Sequence, residues 1–208
     1  MPHYPQINLL FIHVPKTGGT SLENYLRQYS SEKLFSTHAN TNDILPPPHA
    51  SASLQHQPYK TIYAYQDLLD IRIDADTRII SIVRNPYDRI ISDLFWNKLI
   101  ERDTSPSDVY DVICKYVDAD CYDNHNIPQY MFLTDELGAI VDRIKIFRTE
   151  TLTQELHDYG FGDYDGDKNQ TDYGVYLNAQ SIALIDQVYR KDFDLFGYPR
   201  DAHTSRKA

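Results

Sequence analysis

The run Ile7-Asn8-Leu9-Leu10-Phe11-Ile12-His13-Val14 is apolar almost throughout and breaks abruptly at Pro15-Lys16-Thr17-Gly18-Gly19. An apolar run of this kind, without polar alternation, is how a strand covered on both faces of a parallel sheet reads. Beyond the turn, from Thr20 to Tyr29, Leu22, Tyr25, Leu26 and Tyr29 recur at the spacing of an amphipathic helix. Strand, glycine-rich turn and helix in that order open an α/β nucleotide-binding unit. The chain repeats the arrangement once. Arg78 to Val83 is a second buried-type strand, Arg84-Asn85-Pro86 a polar turn, and a helix begins near Tyr87 with Tyr87, Ile90, Ile91, Leu94 and Phe95 on its apolar stripe. Ser92 sits on the shoulder of that stripe.

The remaining elements are less sharply marked. Residues 36–58 read as a long loop, since Pro46-Pro47-Pro48 can neither continue a helix nor enter a central strand. Helices are expected in the second half of Tyr59 to Asp70, within Ser107 to Val117 and Pro128 to Leu137, from Thr149 to Tyr159 and from Asn178 to Tyr189. A short strand is expected over Arg143 to Phe147, and residues 160–175 form a Gly/Asp-rich loop. These elements predict an α/β, P-loop-like three-layer fold with a central, mainly parallel sheet flanked by helices. One domain spans residues 1–200, and 201–208 form a polar tail.

Charge and composition exclude several functions. With 20 Lys and Arg against 30 Asp and Glu, the net charge of −10 disfavours nucleic acid and anionic membranes as partners. No apolar stretch approaches the ~20 residues of a membrane span, and Met1 to Pro5 lacks the charged start of a signal peptide. Two cysteines, Cys114 and Cys121, are too few for a disulfide scaffold and are expected as buried free thiols in a reducing compartment.

The two turns carry the chemistry. In the first, Gly18 and Gly19 allow close backbone approach, and successive amides at a helix start form an anion pocket. Thr20 and Ser21 add hydroxyls, and Lys16 adds a mobile charge. The lysine precedes both glycines, whereas in a Walker A loop it follows the second, so an ordinary ATPase or GTPase is disfavoured. The second turn offers the planar fork of Arg84, suited to a phosphate, with Ser92 two helical turns on. The plainer alternatives are a solvated lysine on a connecting turn, and an Arg84 paired structurally with Asp88 or Asp93.

Phe11 to Leu22 resembles the 5′-phosphosulfate loop of the sulfotransferase superfamily, and Val83 to Arg89 with Ser92 resembles its 3′-phosphate motif. The likeness continues in Arg148-Thr149-Glu150, and in Tyr189 to Tyr198, which resembles the closing "Y-x-x-D-F-x-x-F-G-Y" of the carbohydrate-type branch. The resemblance implies transfer of a sulfuryl group from 3′-phosphoadenosine 5′-phosphosulfate (PAPS), leaving PAP, to a hydroxyl or amine acceptor, a small molecule or glycan. It implies Lys16 at the leaving oxygen, the segment Thr17-Gly18-Gly19-Thr20-Ser21 around the phosphosulfate, and Arg84 and Ser92 on the 3′-phosphate. It also implies a general base between the two motifs. His56 is the first choice, His38 the second and His49 the last, with Glu23 a weaker candidate expected on the solvated face of its helix. His13, inside the first strand, is expected to be packed there. The missing anchor, set beside membrane-anchored relatives, favours a cytoplasmic enzyme. No metal is expected. Asp163, Asp165 and Asp167 imitate an EF-hand start, but Lys168 takes the glycine position and Gly174 the closing Glu position. Two competing functions are a P-loop-type kinase or phosphotransferase and a non-catalytic nucleotide-binding module of the same fold.

Overall fold

A computed structural model describes residues 2–30, 44–120, 122–162, 164–166 and 172–200. His38, Cys121 and the tail 201–208 lie outside the described residues. Four strands form one sheet in chain order: β1 His3–Tyr4, β2 Leu9–Ile12, β3 Arg78–Val83 and β4 Ile144–Arg148. β2, β3 and β4 run parallel, with Phe11 opposite Ile80 and Ile82 opposite Phe147, while β1 pairs antiparallel on the edge. The helices described are α1 Gly19–Leu26, α2 Tyr59–Ala64, α3 Pro86–Trp96, α4 Pro106–Val117, α5 Leu152–Asp158, α6 Ala179–Val188 and α7 Arg190–Phe196. None is long and apolar enough to cross a membrane.

Strand residues alternate between two cores. Leu9 and Phe11, Ile80 and Ile82, and Phe147 pack with Leu22 and Leu26 of α1 and with Leu152 and Leu156 of α5. Leu10 and Ile12, Ile79 and Val83, and Ile144 point the other way, into a core shared with residues of α2, α3, α4, α6 and α7. Burial on both faces is why the strand sequences lack polar alternation. The result is the expected mixed α/β architecture of helices flanking a mainly parallel sheet.

Four local expectations need correction. In the segment from Tyr59 to Asp70 the helix occupies the first half, because Pro58 stands at the N-cap and starts it while Tyr59 and Ile62 anchor it in the core. Pro128 to Leu137 yields only a 3-10 turn, Gln129–Phe132, after which the chain pairs Thr134 with Ile140 as an isolated bridge. The last helix of the sequence reading is followed by a separate one, α7. Cys114 is a free thiol but only half-buried.

The 3-10 turn is held from α7. The buried Asp192 carboxylate accepts from the amides of Gln129 (2.8 Å) and Tyr130 (2.9 Å). Gln129 in turn brackets the residue after β3: its Oε1 accepts from the Arg84 amide at 2.9 Å, and its Nε2 donates to the Arg84 carbonyl at 2.8 Å. Asp192→Ala strands the Gln129 and Tyr130 amides that it accepts from, so it is expected to lower unfolding free energy by about 1–3 kcal/mol in a urea titration. An unchanged midpoint would mean that the turn is held by its apolar contacts alone.

Candidate active site

Three turns leave the carboxyl ends of three neighbouring parallel strands, where open α/β sheets bind ligands. They are 13–19 after β2, 84–85 after β3 and 149–151 after β4. Thr149 stitches them together: its hydroxyl donates to the carbonyls of Thr17 (2.6 Å) and Val83 (3.2 Å). Arg84 joins the first two directly, its Nη1 donating to the Lys16 carbonyl at 3.2 Å.

In the first turn Lys16 and Gly18 take positive φ, +65° and +92°, which reverses the chain tightly into α1. Gly18 is the N-cap and no side chain caps the helix, so its opening amides are left for a ligand. Gly19 is required by packing: a Cβ there would lie 2.3 Å from Nε2 of His13. The Thr17 hydroxyl donates inward to the Val14 carbonyl at 2.8 Å and the residue is fully buried, whereas Thr20 is exposed and Ser21 half-buried. The Lys16 ammonium sits 4.2 Å from the ring centroid of Trp96, itself largely exposed at the end of α3. Burial lowers the Lys16 pKa, against the favourable charge of Asp93.

The second turn presents Arg84. Among the described residues it forms no ion pair; its guanidinium lies 5.4 Å from the Tyr173 ring and bonds only backbone. Asp93, one suggested partner, is engaged elsewhere. Asn85 caps α3 by accepting from the Tyr87 amide at 3.0 Å, and its own amide donates to Glu150 at 2.8 Å. Ser92 is half-buried two turns into α3.

Beside the first turn lie three histidines, each with Nδ1 on a carboxylate oxygen. His13 meets Glu23 at 2.7 Å, His56 meets Asp123 at 2.9 Å and His125 meets Asp93 at 2.7 Å. His13 is buried as expected. Glu23 is not on a solvated face: it is buried, bonded to His13 and accepting from Gln55 Nε2 at 3.1 Å. This pair draws residues 54–56 against α1, and the His13 and His56 rings meet edge-on at 5.3 Å. His56 therefore stands one ring away from the Gly18-Gly19 turn. Burial drives its pKa down to about 3, outweighing the pull of Asp123. Burial opposes ionisation of Asp123, but bonds from His56 and Ser53 outweigh it and hold its pKa at about 2. A neutral imidazole beside an ionised carboxylate donates its Nδ1–H, which puts the ring's lone pair on Nε2. His49 instead lies beside Thr61 and the Tyr65 ring.

Sequence reading missed Asp123, His125, Tyr173 and Glu150 as site residues. The "R-x-E" ending pointed at Glu150, but nothing local marks the other three.

Residues 4–125 match the model of the Sulfotransferase family, a span that contains both turns and the His56–Asp123 pair. No curated protein and no solved structure gives a match. The match covers more than half of the chain, and the chain belongs to the sulfotransferase family.

Proposed function

We propose that this chain moves a sulfuryl group from PAPS to a hydroxyl or amine acceptor, with a carbohydrate as the preferred class. The observation that carries the proposal is the pairing of two anion-suited turns, joined by the Arg84–Lys16 bond, with a histidine oriented by a carboxylate alongside. The donor supplies a sulfuryl group activated by its phosphate leaving group. The amides and hydroxyls of Gly18, Gly19, Thr20 and Ser21, with the Thr17 backbone, bind the 5′-phosphosulfate. Arg84 and Ser92 bind the 3′-phosphate, the group that distinguishes this donor from ATP.

His56 Nε2 accepts the acceptor's proton as the new oxygen–sulfur bond forms and the bond from sulfur to the bridging oxygen breaks. Asp123 keeps the Nδ1 proton in place and stabilises the imidazolium that results. Lys16 leaves the face of Trp96 to neutralise charge gathering on the departing oxygen, an interaction strongest in the transition state.

Incubation with labelled PAPS and a panel of glycans, phenols, steroids and peptides tests the activity itself. His56→Ala is expected to cut transfer by about 10²–10⁴-fold while PAP affinity stays near wild type. Asp123→Asn should lower kcat more than it raises KM for PAPS, with Asp123→Glu recovering part of the loss. Full turnover in His56→Ala would move the base to another group, His38 or a carboxylate.

Lys16→Ala should reduce kcat more than it weakens PAP binding, and Lys16→Arg should restore little, because a planar fork does not replace a compact ammonium. Normal kcat with poor PAPS affinity would recast Lys16 as a ground-state anchor.

A further inference from the structure

His56, Asp123 and His125 converge although 67 residues of chain separate the first two. One ligand atom from each lies within 4.8 Å of those of the other two. A tetrahedral zinc ion with bonds of about 2.0–2.1 Å spaces its ligands roughly 3.4 Å apart. His56 Nδ1 and Asp123 Oδ2, at 2.9 Å, already approach that spacing, and the His125 ligand atom lies within 4.8 Å of both residues' ligand atoms. The His56 and His125 rings are in edge contact at 4.7 Å.

The surroundings are those of a built ligand set. His125 donates Nδ1–H to Asp93, which leaves Nε2 as its coordinating atom. Asp93 also accepts from the Tyr116 hydroxyl and from Asn97 at 3.1 Å. A carboxylate behind a histidine in this way fixes the tautomer and raises the basicity of a metal ligand. The His125 carbonyl is gripped by Arg89, and the His56 carbonyl accepts from Asn124 at 2.9 Å. Asp123 accepts from the amide of Ser53 and from its hydroxyl at 3.1 Å. Two imidazoles and one carboxylate are a donor set that selects zinc over magnesium or calcium.

We propose that His56, Asp123 and His125 form a binding site for a divalent transition-metal ion of the zinc type, and that its occupancy switches sulfuryl transfer off. If the ion takes His56 Nε2, it takes the lone pair directly. If it takes Nδ1, replacing the proton shared with Asp123, that proton moves to Nε2, which becomes a donor. Either way the imidazole no longer accepts a proton. The inhibitory half rests on His56 as the base; the binding half does not.

Zinc chloride titrated calorimetrically into the metal-free protein is expected to show one tight site, and cobalt(II) at the same site should show the visible absorption of a tetrahedral complex. Asp123→Asn and His125→Gln should each weaken zinc binding at least about tenfold, with His157→Gln, on an exposed surface, leaving it unchanged. Asp123→Asn keeps the side-chain shape, so it decides the matter even if His125→Gln melts early. Zinc should also inhibit wild-type transfer, reversibly by chelator. Binding that survives both substitutions, or no binding at micromolar zinc, overturns the site. Tight binding lost in both variants but without inhibition upholds the site and overturns His56 as the base.

Discussion

Arg89 holds the functional end of this molecule together. It sits one turn into α3, buried, and all its recorded hydrogen bonds go to backbone carbonyls. Nε donates to Pro15 at 3.1 Å, Nη1 to Ile127 at 3.0 Å and Nη2 to His125 at 2.6 Å. One side chain thus ties the first turn and the His125 loop to the helix that begins at the second turn. Only a planar fork with several fixed donors reaches three carbonyls in different directions; a lysine would satisfy them with a point charge and no geometry. A buried guanidinium is costly without compensation, and its field favours the charged forms of two nearby carboxylates, Asp93 and Asp192, although at Asp192 burial outweighs it and raises the pKa. Those two carboxylates in turn hold His125 and the Gln129 turn.

The same economy extends to the C-terminal segment, which lies beyond the span matched by the family. Tyr189 donates its hydroxyl to the Asn126 carbonyl at 2.8 Å, next to the carbonyls that Arg89 holds. Tyr198 donates to Glu150 at 2.8 Å, and Glu150 accepts the amide of Asn85. Arg148 donates to the Phe196 carbonyl at 2.6 Å, passing close to Gly197, whose φ of +66° ends α7. Tyr189 and Tyr198 therefore buttress the loop at Asn126 and, through Glu150, the turn at Asn85.

What the sequence made legible follows from range. β2 and β3, their turns and the helices after them are written locally, in apolar runs, glycines and prolines, and α4 and β4 fall within a residue or so of expectation. β1, with two residues, is too short to carry a period. The opening of Gln129–Phe132 and the burial of Glu23 depend on partners 63 and 10 residues away, which no local pattern announces. The same holds for the site. Lys16, the two glycines and Arg84 are visible as motifs, yet the His13 ring that leaves no space for a Cβ at Gly19 is not. Asp123 acquires a role only when the fold brings His56 against it.

The central claim is that the turn at Gly18-Gly19 and the side chains of Arg84 and Ser92 bind two separate anionic groups of one nucleotide. Calorimetric affinities for PAP and AMP, measured on wild type and Arg84→Ala, test it most directly. Wild type should prefer PAP by roughly 10- to 100-fold, the value of one charged contact, and Arg84→Ala should lose most of that preference. Equal affinity of the wild-type protein for PAP and AMP would contradict the claim.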